Sequence, residues 1–537
     1  MSKIPSSGIQ YSSIDPIMAT STGVFANDIY IDSEKGVNRR FGTAYTAATA
    51  LNNLGNTVAY GPSGLSATSY FGKFGVIGSY YWANRDQFYT VHDGKGLEGA
   101  NWVYIQSLDK QNVARAVNIY PDDNQTATGD DSITKARWRV SSVATFAENA
   151  TGNYLVVATG GNLIRVDTIK PISTEPGPVG GFTNTDLYIG GGGDGWSGRG
   201  DIIDTTNCPT KASHVAFLDQ MMIANEMGSG RFQVSAVADE TSWPVARMFT
   251  AESMPDDLKA LDVWKQRLFL FGAQTIEQWI STGDSDVIIK VQTYDIGLGP
   301  IASLCKTTDG FYFLDHTFRP VLFNGSSYTV LGESVTKTFQ ALSYPNQIRG
   351  TYISKNDIPF YVISSHPDKK SYAFDIKNKV WYQWGNYNRT TGGYDELLWD
   401  TVTHVPDWNK YMATTRLDWK IYNLSDTAYQ DNSNTIRSAF ETGNIDHGTF
   451  QRKITQKLIL KVRTGDGSGV LMFQYNTDNK GWSQEKQIDL GAVGVTDFNI
   501  PIYIGGMYRS RKYRISFSDN LPFVFAGMDE IVKVIEE

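Results

Sequence analysis

The sequence predicts an all-β fold: a β-propeller of about six to eight blades, an additional C-terminal β-sandwich-like domain, and loop insertions. Three observations carry this. The composition favours strands and tight turns, strand–turn–strand units recur through the middle of the chain, and the texture changes after Ile436.

Aromatic residues make up 13% of the 537 residues, and there are 51 glycines. Aromatic side chains fit a pleated, half-buried surface, and glycine fits the turns between strands. Hydrophobic residues at 41% and charged residues at 19% describe a globular chain and exclude a disordered acidic or basic tail protein. The length suggests roughly two to four domains.

Residues 1–150 read as an N-terminal region with first strands or a blade and an acidic loop. Thr43 to Leu54 is Ala-rich and is expected to form a helix that Gly55 stops. Val76 to Val91 and Trp102 to Tyr120 read as hairpins that supply one or two blades. Asp122 to Asp131 (DDNQTATGDD) is the acidic excursion.

Residues 151–435 read as the propeller core. Units of aromatic-rich strand, turn and second strand start at Asn153, His214, Trp264, Gly310, Asp357 and Trp408. A spacing of about 50 residues is that of propeller blades. One small sheet cannot bury both faces alone, but blades stacked around an axis bury them together. A β-sandwich array also gives short strands at regular spacing. Thr174 to Gly200 is a Gly-rich insertion.

Residues 436–537 read as the β-sandwich-like domain. Its strands include Lys457 to Val462, Gly469 to Tyr475 and Tyr513 to Phe517, and Asp529 to Glu537 reads as a last strand.

The chain shows little sign of chemistry. Its net charge of −8 argues against general nucleic-acid binding, which needs a basic footprint. Cys208 and Cys305 are expected to be buried thiols, and the six histidines have no metal-ligand spacing. No apolar run approaches the roughly 18–20 residues of a membrane helix. Met1 to Gly8 lacks a signal-peptide core, so a soluble chain that is not exported by that route is expected. GxGxxG occurs twice, from Gly190 and from Gly193, but no helix follows to receive a phosphate. Acidic pairs such as Asp256–Asp257, Asp284–Asp286 and Asp529–Glu530 read as solvated turns rather than hydrolase pairs. No catalytic residue, cofactor or metal site is assigned. The candidate interface residues are Asp122, Asp123, Asp130 and Asp131 in the acidic loop, Trp196 and Arg199 in the Gly-rich loop, and Arg509, Arg511, Lys512 and Arg514 in the densest basic run. At strand alternation Arg509, Arg511 and Tyr513 share one face, Lys512 and Arg514 the other.

The run Leu258 to Gly272 (LKALDVWKQRLFLFG), followed by Thr275-Ile276-Glu277-Gln278-Trp279, resembles a segment of one phage family. It is the packaged-DNA stabilisation protein, or tail nozzle (hub), of short-tailed bacteriophages. Gln278 stands between the glutamate and the aromatic residue where the family places them together. Phe311 to Leu314, Val380 to Trp384, Gly481 to Ser483 and Arg511 to Asp519 extend the resemblance over roughly residues 200–537. The N-terminal two hundred residues match poorly.

The resemblance implies a non-enzymatic virion component built on a β-propeller. It implies a homo-hexamer below the tail adaptor and the portal, with tail fibres, spikes or a needle beyond it. The ring would extend the DNA channel and help retain packaged DNA until ejection, with DNA passing through the lumen without sequence-specific binding. The expected location is the virion tail, after assembly in the host cytoplasm. Six copies at −8 each would favour sliding over sticking. Deleting Asp122 to Asp131 is expected to spare folding and weaken particle assembly. The alternative reading is a tail propeller that binds a receptor or polysaccharide, with or without hydrolysing it.

Overall fold

The computed structural model describes residues 2–3, 26–27, 29–32, 36–40, 42–47, 74–95, 101–110, 114–121, 143–167, 201–203, 207–251, 257–283, 287–343, 347–355, 357–388, 390–416, 420–425, 427–432, 434–464, 469–490 and 497–535. Among these residues the chain is nearly all β, with one α-helix, Glu333–Gln340.

Seven four-stranded antiparallel units follow one another. Blade 1 is Phe74–Trp82, Gln87–Lys95, Asn101–Leu108 and Ala114–Pro121. Blade 2 is Thr145–Glu148, Tyr154–Ala158, Ile164–Asp167 and Asp201–Ile202. Blade 3 is Val215–Leu218, Met221–Asn225, Arg231–Val234 and Met248–Thr250. Blade 4 is Ala260–Trp264, Arg267–Phe271, Ile276–Ser281 and Ile288–Tyr294. Blade 5 is Cys305–Lys306, Phe311–Leu314, Pro320–Phe323 and Tyr328–Val330. Blade 6 is Ile348–Lys355, Ile358–Ser365, Lys370–Asp375 and Val380–Trp384. Blade 7 takes Thr401–Val405, Lys410–Thr414 and Ile421–Ser425 from late in the chain, and its fourth strand, Gly42–Ala47, from the beginning.

The ring is closed. A separate apolar cluster fills each gap between consecutive blades, including the gap between blades 7 and 1, where Phe88 and Leu108 meet Val405 and Met412. Strand alternation explains how one short run serves two gaps. In blade 4, Leu268 and Leu270 face blade 3, while Phe269 and Phe271 face blade 5. In blade 5, Phe311 and Phe313 face blade 4, while Tyr312 and Leu314 face blade 6. A strand buried on both faces reads as an uninterrupted apolar run, as in Arg267-Leu268-Phe269-Leu270-Phe271.

The unit starts expected from the sequence fall on the second strands of blades 2, 4, 5, 6 and 7, and on the first strand of blade 3. Second strands are sandwiched on both sides, so they carry the strongest apolar signal. The Ala-rich stretch is not a helix where it is described. Gly42–Ala47 is a strand, because pairing with Ile421–Ser425 overrides weak helix propensity, and residues 48–54 lie outside the described residues.

The strands expected after Ile436 are present, in two sheets, and neither sheet is confined to residues 436–537. One runs from the outer strand of blade 6 through Ala26–Asn27 into Ser438–Glu441, Arg511–Phe517, Val470–Thr477 and Lys486–Asp489. The other joins Ile29–Asp32 and Gly36–Arg39 to Val524–Val534, Lys453–Arg463 and Asp497–Ile502. Both contribute to one core that contains Leu458, Phe473, Ile515 and Phe525. The expected last strand is Val524–Val534.

Candidate interface and axial surfaces

The first strand of each blade lies next to the first strands of its neighbours, so these strands surround the axis. Their polar side chains tie one blade to the next. Ser79 of blade 1 and Thr403 of blade 7 are 2.7 Å apart through their hydroxyls. The Thr145 hydroxyl of blade 2 accepts from Val215 N–H of blade 3 at 2.9 Å. Thr351 of blade 6 accepts from Val402 N–H of blade 7, also at 2.9 Å. The two carboxylates on described first strands between blades 1 and 5 are engaged in the same way. Glu148 accepts from the Tyr80 hydroxyl at 2.6 Å, and Asp262 pairs with Lys306 at 2.6 Å. Burial, then Glu148, pushes the Tyr80 hydroxyl well above its ordinary range. These groups hold the ring together. Among the described residues no group of three or more His, Cys, Asp or Glu is placed to hold a metal ion.

A densely bonded polar site lies at the seam where the ring closes. Arg349 of blade 6 reaches past blade 7 and donates to the carbonyls of Val76 and Ile77 in blade 1, at 2.8 and 2.9 Å. It also faces the fully buried Asp400 at 3.7 Å. The His366 ring lies 2.6 Å from the same carboxylate, which also accepts from Arg416 N–H at 2.9 Å. Burial pushes the Asp400 carboxyl up, but Arg349 and His366 outweigh it, so the net shift is downward.

The N-terminal strands are fastened by two adjacent arginines. Buried Arg40 pairs with buried Asp431 and donates to Gly385 O at 2.9 Å. Thr43 adds a hydrogen bond to the same carboxylate at 3.1 Å. Arg39 turns the other way, donating to the carbonyls of Ile436, Asp519 and Leu521. At Gly42 a Cβ would lie 2.1 Å from Ala428 O, so the strand approaches too closely for any other residue.

Sequence reasoning missed these seam residues. The Arg39-Arg40 pair, unusual before an uncharged stretch, was the signal available.

Within the strand Arg511–Phe517 the basic run divides as alternation predicts, with Arg511 and Tyr513 buried and Lys512 and Arg514 half-buried on the other face, but Arg509 precedes the strand and does not follow the pattern. Arg511 is 1% exposed; it donates to Thr455 at 2.9 Å and stacks on Tyr508. It is therefore an internal tie rather than a surface contact. Glu530, beside it, accepts from Thr455, from Tyr508 at 2.9 Å and from Tyr513 at 2.7 Å. Burial pushes Glu530 up, and His447, Thr455 and the two tyrosines more than reverse it. Lys512 and Arg514 flank Trp482, and Arg514 also pairs with Glu441 at 2.5 Å. Arg509 is exposed. Asp122, Asp123, Asp130, Asp131, Trp196 and Arg199, with both GxGxxG runs, lie outside the described residues. Cys208 and Cys305 are free thiols; Cys208 is buried as expected, whereas Cys305 is half-buried.

Residues 148–382, from the end of the first strand of blade 2 to the fourth strand of blade 6, match the phage-stabilisation family model, described as Bacteriophage P22 Gp10, beta-propeller. This segment, less than half of the chain, is similar to the phage-stabilisation family. The match supports a structural role in the phage tail, as a component of the virion. The residues that carry the family resemblance serve the blade itself. Glu277 is 2% exposed, accepts from Trp279 Nε1 at 2.9 Å and faces Lys290 of the next strand at 3.6 Å.

No curated protein matches the chain significantly. Among solved structures, an auxiliary nutrient binding protein from Bacteroides thetaiotaomicron aligns with a TM-score of 0.34 and 7% identity, over 66% of this chain and 69% of that one. Dihydro-heme d1 dehydrogenase NirN aligns with 0.35 and 8%, over 87% and 80%. An exo-beta-1,3-galactanase from Phanerochaete chrysosporium aligns with 0.26 and 10%, over 91% and 100%. At these scores the likenesses carry no argument about function.

Proposed function

We propose that this protein is the protomer of a six-fold tail nozzle. The ring sits below the portal and adaptor, extends the DNA channel and helps retain packaged DNA until ejection. The family match over residues 148–382 carries the reading. The closed ring supports it, because a pressurised channel needs blocks that do not open under load. Seven apolar gaps and the polar ties around the axis make each protomer such a block. The role is mechanical, and the axial carboxylates serve blade-to-blade ties rather than turnover. Tail fibres, spikes or a needle are the distal partners, DNA passes without sequence-specific contact, and assembly takes place in the host cytoplasm.

The test is the solution mass of the purified protein, alone and mixed with purified portal–adaptor complex, by light scattering. Six copies in a ring, or six added per portal complex, are expected. A monomer or trimer that ignores the portal complex would overturn the reading and favour a sugar-binding propeller.

A further inference from the structure

We propose that one end of the C-terminal sheets is a docking surface for an anionic lipid bilayer. The proposal does not depend on ring formation. Strand pairing brings this end together. Met507 and Lys533 lie on either side of Ile454, and Tyr508 and Val534 on either side of Lys453. The loop 446–452 folds over the same corner. Lys453 Nζ donates to Gln451 O at 2.8 Å, and the His447 ring lies 3.4 Å from the Tyr508 hydroxyl. The turn 478–481 joins it, because Asp478 N–H donates to Ser510 O at 2.9 Å.

The end presents large apolar side chains to solvent. Phe450 is 87% exposed, Met507 54% and Val534 36%, and Tyr503, in the connection that leads to Met507, is 67% exposed. Exposed Arg452, Lys480, Arg509 and Lys533 stand among them. Two carboxylates share the end, exposed Asp446 and half-buried Asp478. Each is held by its own turn. Asp446 accepts from Gly448 N–H at 2.9 Å, and Asp478 accepts from Arg509 N–H at 2.8 Å and Ser510 N–H at 2.9 Å. Cations are therefore in excess here, on a chain whose net charge is −8.

Charge and shape favour a bilayer as the occupant. Exposed apolar patches mark protein or membrane contacts. At Gly448, Gly481, Gly505 and Gly506 an added Cβ would meet nothing within 4 Å, so the turns project and do not enclose a groove that could seat a peptide side chain. A bilayer asks for no groove. Apolar side chains enter the boundary between headgroups and acyl chains, and lysines and arginines beside them meet the anionic headgroups. Tyr503 suits that boundary, because its ring is apolar and its hydroxyl polar. Each cation near an anionic membrane surface tightens binding roughly five-fold.

Flotation of the full chain with lipid vesicles tests this. One set holds equal parts of phosphatidylcholine and phosphatidylglycerol, and the other phosphatidylcholine alone. Wild type is expected to float with the first set, to be released by high salt, and to bind the second set roughly 25-fold more weakly. Phe450→Ser with Met507→Ser is expected to float with neither set. Lys480→Ala with Lys533→Ala is expected to weaken binding to the first set roughly 25-fold and to leave the second unchanged. All four side chains are exposed, so each variant should keep the wild-type melting transition. If the apolar variant loses that transition, the lysine variant decides, and unchanged binding by it would overturn the proposal. A wild type that floats with neither set would overturn it and leave the end to a protein partner. Flotation that survives Phe450→Ser with Met507→Ser in a folded chain would overturn it too, because charge alone would then hold the chain. Each of these failures leaves the nozzle reading standing.

Discussion

The gap between blades 4 and 5 and the seam that closes the ring do the same job with different chemistry. The first is filled by aromatic rings: Phe269, Phe271, Phe311 and Phe323 meet edge to face. The second adds buried charges to its apolar cluster: Arg40 with Asp431, and Arg349 with Asp400 and His366. Neighbouring blades are joined by a short connection, so apolar surface alone is enough to bring them together. The closing strand comes from the other end of the chain. Apolar contact is non-directional, and a one-residue slip would turn the strand over. Directional bonds to Asp431 set its register.

The strongest way to break this comparison is to delete residues 1–47. That removes the fourth strand of blade 7 and the strands that join blade 6 to the C-terminal sheets. The expected outcome is loss of a single cooperative melting transition, read by calorimetry, with proteolysis beginning in blade 7. Next, Asp431→Ala leaves Arg40 buried and uncompensated, at a cost of about 3–5 kcal/mol. Phe311→Ala should cost a similar ~3–5 kcal/mol by opening a cavity. Denaturant unfolding measures both, and a loss under 1 kcal/mol for Asp431→Ala would show that the seam is not held by its charges.

Acid sharpens the difference. The Asp400 and Glu530 carboxyls titrate below their ordinary range in the folded chain. Their contribution is present above the unfolded value of about 4. It is lost as the pH falls through the lower folded values. The melting temperature of wild type should therefore drop at acid pH, and Asp400→Asn should flatten that drop. Phe311→Ala should lower the melting temperature at every pH and keep the acid limb. The smallest effect is expected of Lys306→Ala, whose partner Asp262 is partly exposed, at about 0–1 kcal/mol.

The same contrast explains what could be read from the sequence. Leu268 to Phe271 announced a doubly buried strand because both faces meet apolar neighbours. The first strands, tied around the axis by threonine, serine and charged groups, carried no such signal, so the expected units began one strand late. Gly42–Ala47 is a strand only because of a partner some 380 residues away, which no local pattern records. For the basic run, alternation separated Arg511 from Lys512 and Arg514. It could not say which face was the core, since the buried partner Thr455 and the neighbouring Glu530 come from other strands. Arg40 and Asp431, 391 residues apart, had no means of announcing each other.

The fourth strand of blade 7 also imposes a clock. Gly42–Ala47 leaves the ribosome well before its partner, Ile421–Ser425, which follows some 380 residues later. At roughly 5–20 residues per second the early strand waits some tens of seconds with its hydrogen bonds unmade. Until then Arg39 and Arg40 lack the carbonyls and the carboxylate that receive them, and the C-terminal sheets have nothing to fasten them to blade 6. A chain that stops short of these strands cannot finish the disc. Synthesis through these late strands thus acts as a checkpoint: only copies that carry both halves of the closing pairings can complete the disc.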